Sequence, residues 1–583
     1  MKNYLNKFKF ILLGFTTVFT FLAVESCKEE SFLNATNPKA IDPSVFPNKV
    51  EDLDLMVIDI YGRMRFGYFN SFNFDHAGIL PDHTADLGYN GSGFNEWALN
   101  TMTADDERVS NLWVAHFEGV ARCNSLLDGI TKIKATTLSD DSKTRIDVIE
   151  GQVRFLRALN FYFLINFYGE NMITTEADKA KLGVPLWDKV PTSIVEAKKE
   201  RATVGQVWDF MIADLLKAQT LLDKQAPWGG NDRARVDKWA VKSFLGKAYL
   251  FTLQNDKARD ILKDVIDNGG KKLLPFGEYA KMFNGMNEFS TESIFEINFT
   301  VDRKDVWNTT QNNSSQYGVF ISPSYLEDDG VSEGTNGFGN LFIHDANLDR
   351  HGFTDNTTAT ADMKSKKYID LSVNLRKNKQ IDPRMTINML QPWVDSIYVY
   401  DKWRKVTKNR GEGFPLANNQ AWCHRKFVIL DRGMWTEQGE SIGSNMYFMR
   451  LPDVYLMYAE AQARLGNTKD ALEYINKVHR RAYSLPVDTP ASNDYKTLTD
   501  KTMALGAGDH LANDPLKYER FVELFAEGSW WFDVCRWKIG DKETAYYKTV
   551  KAGPLAWDDK KYALPIPRSE LDNNSKIKPN ARN

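Results

Sequence analysis

The sequence predicts a mainly α-helical protein, an α-solenoid-like scaffold of helical hairpins with long irregular loop insertions and a few short strands. Three observations lead to this fold class. Apolar residues recur with helical spacing, a hairpin repeat occurs twice, and two long stretches are rich in Gly, Asn, Ser and Thr. We expect helices at about 139–270 and 448–540, and a loop-rich ligand-binding lobe at about 66–104 and 301–447.

The first long helix is predicted over residues 139–168 by one apolar stripe. Its members follow a 4-3 spacing, namely Ile149, Val153, Leu156, Phe163 and Phe167. A second helix is predicted after Thr203, because Thr203 and Gln206 have the spacing of a capping box. Asp237 is predicted to cap a third helix that runs to Thr252, and a fourth helix follows after a short break.

The third and fourth helices match the tetratricopeptide repeat, and the chain contains a second copy. The matching positions are Leu245, Gly246, Tyr249, Ala258, Leu262 and Val265, and then Tyr458, Ala459, Gly466, Ala471, Ile475 and Val478. Small residues such as Gly246 and Ala258 let two antiparallel helices approach closely, and the larger residues fill the groove between them. The repeat therefore predicts two tetratricopeptide-like hairpins with a long insertion between them.

The insertions are expected to contain the short strands. Strand-like runs occur at 293–300 and 426–430, where β-branched and aromatic residues cluster. Loops of this length in a compact protein are usually functional or disordered. Their aromatic content argues against disorder, so we expect them to carry the function.

The N-terminus has the layout of a secretory signal, predicted to comprise residues 1–26. Three lysines precede an apolar run over 10–24, which is shorter than the roughly 20 residues that a membrane span needs. The next residues resemble a bacterial lipobox, which implies cleavage before Cys27 and lipidation of that cysteine. Attached acyl chains would anchor the protein to a membrane. The alternative is a buried helix at the N-terminus.

Composition excludes several classes of function. Removing residues 1–26 leaves 557 residues, and the formal charge changes from −3 to −5. A slightly acidic chain has no electrostatic signature of nucleic-acid binding. The remaining cysteines, Cys123, Cys423 and Cys535, are odd in number and far apart, so we expect buried free thiols rather than disulfides or a metal site.

Four stretches of the chain, in order, carry a family resemblance. The first is the aromatic segment 154–169, and the second is 450–461 together with 471–482. The third block comprises Glu519, Arg520, Glu523, Leu524, Glu527, Gly528, Asp533, Arg536 and Trp537. The last comprises residues 564–567, Ser569, Glu570 and Asn580. Together they resemble the SusD/RagB family of outer-membrane nutrient-binding lipoproteins of Bacteroidetes, over nearly the whole chain from Cys27 to residue 583.

The third block departs from the family pattern at Trp530, where an arginine is usual. Glu519, Glu523 and Glu527 would share one helix face and repel one another unless basic groups such as Arg520 bridge them. We therefore expect these carboxylates to be structural rather than catalytic.

The resemblance implies a non-catalytic receptor that binds oligosaccharide and passes it to a SusC-like TonB-dependent porin. In such proteins the helices face the porin, the ligand lies among the loops, and no cofactor takes part. Residues 28–30 resemble the acidic export signal of these lipoproteins, which implies an outer-membrane location facing the cell exterior.

Candidate ligand-binding residues lie in the two insertions. Sugars are recognised by flat aromatic rings beside amide and carboxylate groups. The candidates are Asp82, Asp86, Tyr89, Asn95 and Trp97 in the first insertion, and Trp307, Asn308 and Tyr317 in the second. Trp97 and Trp307 are the favoured stacking residues. A third group contains Trp393, Trp403, Trp422 and Trp435. For each tryptophan of the three groups, loop packing explains the sequence about as well as ligand stacking.

Other motifs are weaker. Residues 439–443 match G-x-S-x-G, but a polar loop precedes them instead of the buried strand that a nucleophile elbow needs. Residues 345–349 begin like a calcium loop, although Arg350 replaces the required glycine, and a structural calcium stays open. The alternative functions are a peptide-binding import lipoprotein of the same architecture, a surface glycoside hydrolase and a protein–protein scaffold.

Overall fold

A computed structural model describes most of the chain from residue 46 onward. The described ranges are 46–68, 85–87, 99–170, 172–299, 318, 321–323, 325–327, 341–354, 360–399, 402–408, 422–428, 443–550 and 556–583. The chain divides into a unit Met1–Asp52 and a unit Leu53–Asn583. In the first unit, Asp52 Oδ2 accepts the backbone N–H of Asn48 at 2.9 Å. The predicted signal and Cys27 lie outside the described residues.

The described residues are mainly helical. The helices are α1 (Val50–Tyr68), α2 (Glu107–Lys134), α3 (Asp140–Tyr168), α4 (Val204–Leu222), α5 (Lys238–Phe251), α6 (Asn255–Asn268), α7 (Phe276–Tyr279), α8 (Asp345–Arg350), α9 (Thr360–Met363), α10 (Lys366–Lys377), α11 (Met385–Asn388), α12 (Leu451–Arg464), α13 (Thr468–Ala482), α14 (Pro515–Glu523), α15 (Trp530–Trp537), α16 (Gly540–Val550) and α17 (Arg568–Asn573). None of these helices is both long and apolar enough to cross a membrane.

The strands are short and pair only in small antiparallel sheets. They are β1 (Ala85–Leu87), β2 (Leu182–Pro185), β3 (Arg201–Thr203), β4 (Ser293–Ile297), β5 (Tyr325–Leu326), β6 (Leu341–Ile343), β7 (Met389–Leu390), β8 (Ser396–Val399), β9 (Lys402–Lys408), β10 (Cys423–His424) and β11 (Met446–Arg450). Two-stranded pairs join β1 with β6, β2 with β3, β4 with β11, and β7 with β10, while β9 lies between β5 and β8.

The predicted helices are confirmed, and their caps explain where they begin. Ser139 caps α3 by accepting the backbone N–H of Ser142. Thr203 and Gln206 form the predicted capping box at the start of α4. The carboxylate of Asp237 accepts two backbone N–H groups at the start of α5, which satisfies donors that the helix itself leaves unpaired.

The two predicted hairpins are α5–α6 and α12–α13, and close packing at Gly246 explains the first. A Cβ atom at Gly246 would lie 2.4 Å from Leu262 Cδ2, so only glycine permits this approach of the helices. In the second hairpin Gly466 has φ +83° and provides the turn. The helix α6 packs against α12, so the hairpins are neighbours in space although the insertion separates them in sequence.

The helices α2, α3, α4, α5, α6, α12 and α13 each pack against the next, which forms one continuous stack. Aromatic rings fill its centre, and Tyr162 contacts Phe244 at 5.4 Å and Phe532 at 5.5 Å between ring centroids. The thiols of Cys123, Cys423 and Cys535 are free and buried, as predicted.

Three local predictions for the insertions need correction or qualification. The run at 293–300 does form a strand, but 426–428 is a turn and the neighbouring strand is β10. Residues 345–350 form the helix α8, because His344 caps it and Arg350 is buried between Asp509 and Glu543. A calcium loop is therefore not formed there. The stretch 301–447, which the sequence predicts to be rich in loops, also contains the twelve-residue helix α10, which Ser365 caps.

Candidate functional site

A cavity of about 350 Å³ lies where α1, the connection between α4 and α5, and β4 come together. Its lining comprises Ile58, Tyr61, Met64, Arg65, Asn231, Asp232, Ala234, Arg235, Phe295, Glu296, Ile297 and Asn298. We call this set of residues the loop-root cleft. Apolar side chains and hydrogen-bonding groups alternate around it, which is the mixture that small-molecule sites use.

Residues that precede both predicted insertions in sequence line the loop-root cleft. Arg65 immediately precedes the first insertion in sequence, and Asn298 lies just after β4 and just before the second. Both residues line the same cavity. The helical body therefore brings together the starts of two segments that lie more than two hundred residues apart in sequence.

A second cavity of about 380 Å³ adjoins the first and shares Ala234, Arg235, Phe295 and Glu296 with it. Its further lining includes Trp228, Arg233, Asp237, Lys271, Glu288 and Phe289. The guanidinium of Arg233 lies 4.3 Å from the ring centroid of Phe289. This part of the site is more strongly charged than the loop-root cleft, and we call it the charged annex.

Hydrogen bonds of Tyr61 and Arg235 fix the side of the cleft that lies between α1 and the α4–α5 connection. The Tyr61 hydroxyl accepts the backbone N–H of Val236 at 3.0 Å and donates to Gln152 Oε1 at 3.2 Å. Arg235 Nε donates to Asp232 Oδ1 at 2.7 Å. Burial raises the pKa of Tyr61 above its ordinary value, so its hydroxyl stays protonated.

Asn445 links the two ends of the second insertion through hydrogen bonds. Its side-chain oxygen accepts the backbone N–H of Phe299 at 2.9 Å, and its amide nitrogen donates to Glu296 Oε2 at 2.7 Å. Its own backbone N–H donates to Glu288 Oε1 at 2.8 Å. This fully buried residue therefore ties the exit from β4 to the entry into β11.

The two acids around Asn445 are unusually easy to protonate. Burial is the main reason that the pKa of Glu288 rises from 4.5 to about 7; the nearby Glu296 adds to this rise, while the Asn445 N–H and Arg233 oppose it. Burial also raises the pKa of Glu296. Both oxygens of Glu296 accept protein hydrogen bonds, because Oε1 receives the backbone N–H of Phe289 at 2.7 Å. That carboxyl group is consequently part of the framework.

Almost all the sequence-predicted ligand residues lie outside the described residues. These are Asp82, Tyr89, Asn95, Trp97, Trp307, Asn308 and Tyr317, as well as Trp435 of the third group. Asp86 lies in β1, where its backbone pairs with Phe342 of β6. This pairing joins a short piece of the first insertion to the second insertion.

The tryptophans of the third group occupy three different environments. Trp422 is fully buried, and its indole N–H donates to the Tyr368 hydroxyl at 3.3 Å, so it is a core residue. Trp393 is half-buried beneath the ammonium of Lys364, 4.2 Å from the ring centroid. Trp403 is 70% exposed.

The carboxylates of the acidic block are structural, as expected from the sequence, but the basic side chains that pair with them come from other segments of the chain. Arg450 Nη1 lies 2.6 Å from Glu523 Oε1, and Arg384 Nη1 lies 2.6 Å from Glu519 Oε2. Lys426 Nζ lies 2.7 Å from Glu527 Oε1. These carboxylates therefore do not depend on a cation at position 530.

Two details of that prediction are wrong. The helix α14 ends at Glu523, so Glu527 does not share a helix face with Glu519 and Glu523. Arg520 does not bridge the glutamates, because its guanidinium pairs with Asp453 at 3.0 Å and Asp533 at 2.8 Å. Trp530, which stands where the family has arginine, donates its indole N–H to Glu543 at 2.9 Å. Arg350 supplies the positive charge beside Glu543.

Sequence reasoning missed the residues that organise the loop-root cleft. Tyr61, Glu296 and Asn445 belong to no motif, and they meet only through the tertiary packing. One available signal was the Gly-Gly-Asn-Asp run at 229–232, a polar turn directly before a predicted helix.

Comparisons with known proteins agree with this architecture. A family model described as the SusD family matches residues 291–582, and another, described as starch-binding and associating with the outer membrane, matches residues 32–250. The SusD-like protein P25 of Formosa agariphila is 23% identical over 546 residues, which cover 90% of this chain and 89% of that protein.

Solved structures are similar in fold. A surface glycan-binding protein A from Bacteroides fluxus has a TM-score of 0.65 and 19% identity, covering 91% of this chain and 99% of that one. A laminarin-binding SusD-like protein has a TM-score of 0.63 and 20% identity, with coverage of 91% and 99%. Since the SusD family model matches half of the sequence, the chain belongs to the SusD family.

Proposed function

We propose that the protein binds oligosaccharide or polysaccharide at the cell surface without cleaving it, and delivers it to a SusC-like TonB-dependent transporter. The observation that carries the proposal is that Arg65 and Asn298, which precede the two aromatic-rich insertions in sequence, line the same loop-root cleft. Rings and amides from separate insertions can then combine into one open site, which is what a sugar chain requires.

Family membership supports a carbohydrate ligand. One matching family model is described as starch-binding, and of two proteins of similar fold one is described as laminarin-binding and the other as a surface glycan-binding protein. We therefore assign starch-like and laminarin-like glucans as the first ligands to examine.

We assign the stacking role to Trp97 and Trp307 and hydrogen bonding to the other predicted residues. These are Asp82, Asp86, Tyr89, Asn95, Asn308 and Tyr317. Carboxylate and amide groups pair with sugar hydroxyls, while an indole covers the apolar C–H face of the ring.

The proposal includes an outer-membrane location with a lipid anchor at Cys27. The starch-binding family model is also described as associating with the outer membrane. A Cys27→Ala variant tests the anchor: we expect loss of acyl labelling and release of the protein from the membrane fraction. Retention of the variant in that fraction, with labelling unchanged, would contradict it.

Affinity electrophoresis and calorimetry against a polysaccharide panel that includes starch and laminarin test the function. We expect saturable binding to at least one glycan and no release of reducing ends over a day. If the protein binds none of the glycans, a peptide ligand is favoured instead. Release of reducing ends would favour a surface glycoside hydrolase.

Co-purification with the porin tests delivery separately. The transporter is expected to be retained by both the unmodified protein and a Trp97→Ala/Trp307→Ala variant, because the ligand site and the porin-facing helices are different surfaces. Retention of the porin by both proteins, with no ligand phenotype in the variant, would instead favour a protein–protein scaffold.

A further inference from the structure

Two exposed aromatic rings lie side by side on the β8–β9 hairpin. Among the described side chains, Tyr398 and Trp403 are the aromatic residues with more than a third of their surface exposed, at 38% and 70%. Their ring centroids are 5.7 Å apart, with an angle of 63° between the planes. The other exposed large hydrophobic residues of the described ranges are aliphatic.

The hairpin fixes where these rings point. Tyr398 and Trp403 are directly paired across the two strands, so both side chains stand on the same face of the sheet. The opposite face carries Ile397 and Val406, which are fully buried. Because one face is anchored in the core, the aromatic pair sits on a rigid element.

The neighbouring cross-strand pair on the same face is polar. Ser396 and Lys405 form the next cross-strand pair on the same face, and they offer a hydroxyl and an ammonium beside the rings. A stable protein interface buries about 800 Å² on each partner and needs an apolar centre. Two rings flanked by polar side chains are too small for such a centre and match the size of one or two sugar rings.

We propose that Tyr398 and Trp403 form a second carbohydrate-binding platform, separate from the ligand residues assigned to the two insertions above. A pyranose ring stacks on the indole of Trp403, Tyr398 supports that indole edge-on, and Lys405 and Ser396 bind hydroxyl groups of the same sugar. This inference rests on the proposed carbohydrate ligand and adds a contact region for a long chain.

Binding of starch and laminarin to the full protein and to Trp403→Ala tests the platform. We expect about three- to tenfold weaker binding for Trp403→Ala and an intermediate value for Trp403→Phe, since one aromatic stack is lost or reduced. Ile194→Ala is the matched control, because Ile194 is an exposed apolar residue outside the hairpin, at 81% exposure. It should bind like the unmodified protein.

Fluorine NMR of protein labelled with 5-fluorotryptophan gives a readout of direct contact. The Trp403 resonance is assigned by its loss in Trp403→Phe, and we expect it to shift or broaden when the polysaccharide is added. An unperturbed Trp403 resonance, together with unchanged binding by Trp403→Ala, would overturn the platform and leave the proposed function intact.

Two further outcomes separate the proposals. If the unmodified protein binds no glycan of the panel, the proposed function and the platform fail together. If Trp403→Ala loses the porin but keeps full affinity for the glycan, the pair is a protein contact and the carbohydrate platform is wrong.

Discussion

The ion pairs around Glu523 and the acids around Asn445 place the same chemical group in opposite situations. Burial alone would raise the pKa of Glu523, but Arg481 and Arg450 outweigh it and hold the pKa well below its usual range. Glu288 is only half-buried, but no ion pair to it is formed within the described part of the chain, and its pKa rises to about 7. The number of nearby cations, rather than burial, decides the charge.

This difference in ion pairing distinguishes the helical body from the region at the base of the insertions. Arg450 alone contacts Glu292, Glu523 and Glu527, and so it joins β11 to the turn before β4 and to the C-terminal end of α14. Glu288 and Glu296 instead rely on Asn445 and on backbone N–H groups. We infer that the body is fixed by charge pairs, while the base of the insertions is held by neutral hydrogen bonds.

The largest effect is expected for Arg450→Ala. Removing this guanidinium leaves three buried carboxylates short of a partner, which costs about 3–5 kcal/mol in free energy of unfolding. Urea unfolding followed by circular dichroism measures the loss. Lys263→Ala, which breaks an exposed pair with Asp267 at 2.6 Å, is the control and should change stability little. Equal effects of the two variants would contradict the contrast.

Asn445→Ala should produce the next largest effect. It leaves the Phe299 backbone N–H and the Glu296 carboxyl without their partner, at a cost of about 2–3 kcal/mol. Because this residue ties the base of the second insertion, we also expect faster hydrogen exchange at residues 296–299. Exchange that stays at the level of the unmodified protein would show that other contacts hold the insertion.

Gly246→Ala tests the helical body without touching a charge. The new Cβ would lie 2.4 Å from Leu262 Cδ2, so the hairpin must open, at a cost of about 2 kcal/mol. Gly277→Ala is the matched control, because nothing lies within 4 Å of a Cβ at that position. A thermal unfolding midpoint that falls equally in both variants would refute the packing account of the hairpin.

The smallest effect is expected for Glu288→Gln, and it depends on pH. The folded pKa of about 7 exceeds the usual 4.5, so this carboxyl contributes stability at low pH that is lost as pH rises through 7. The glutamine keeps an oxygen for the Asn445 N–H and carries no charge. We expect it to be more stable than the unmodified protein by about 1 kcal/mol at pH 8, since solvent screens part of the cost. Differential scanning calorimetry should show this advantage disappearing near pH 4.5; an advantage independent of pH would contradict the assignment.

The sequence was sufficient for the helical body because its signals are local. The Thr203–Gln206 capping box and the Gly246 contact position depend on residues a few places apart, and each predicts one element by itself. The role of the acidic block was also predictable from its spacing. Its partners were not, since Arg384 and Arg450 reach Glu519 and Glu523 from distant segments.

For the candidate site, the sequence predicted the types of residue involved but not which individual residues come together. Asn445 and Tyr61 belong to no sequence motif, and their roles depend on hydrogen bonds to residues far away in the sequence. Trp422 and Trp403 look alike in sequence, but one is a core residue and the other is exposed. Aromatic content alone therefore does not separate packing from recognition.

The most direct measurement is calorimetric titration of the unmodified protein and of Trp97→Ala/Trp307→Ala with the polysaccharide that the unmodified protein binds. The account predicts at least tenfold weaker binding by the variant, an unchanged unfolding midpoint and an intact polysaccharide. Equal affinity of the two proteins, or shortening of the polysaccharide during the titration, would contradict it.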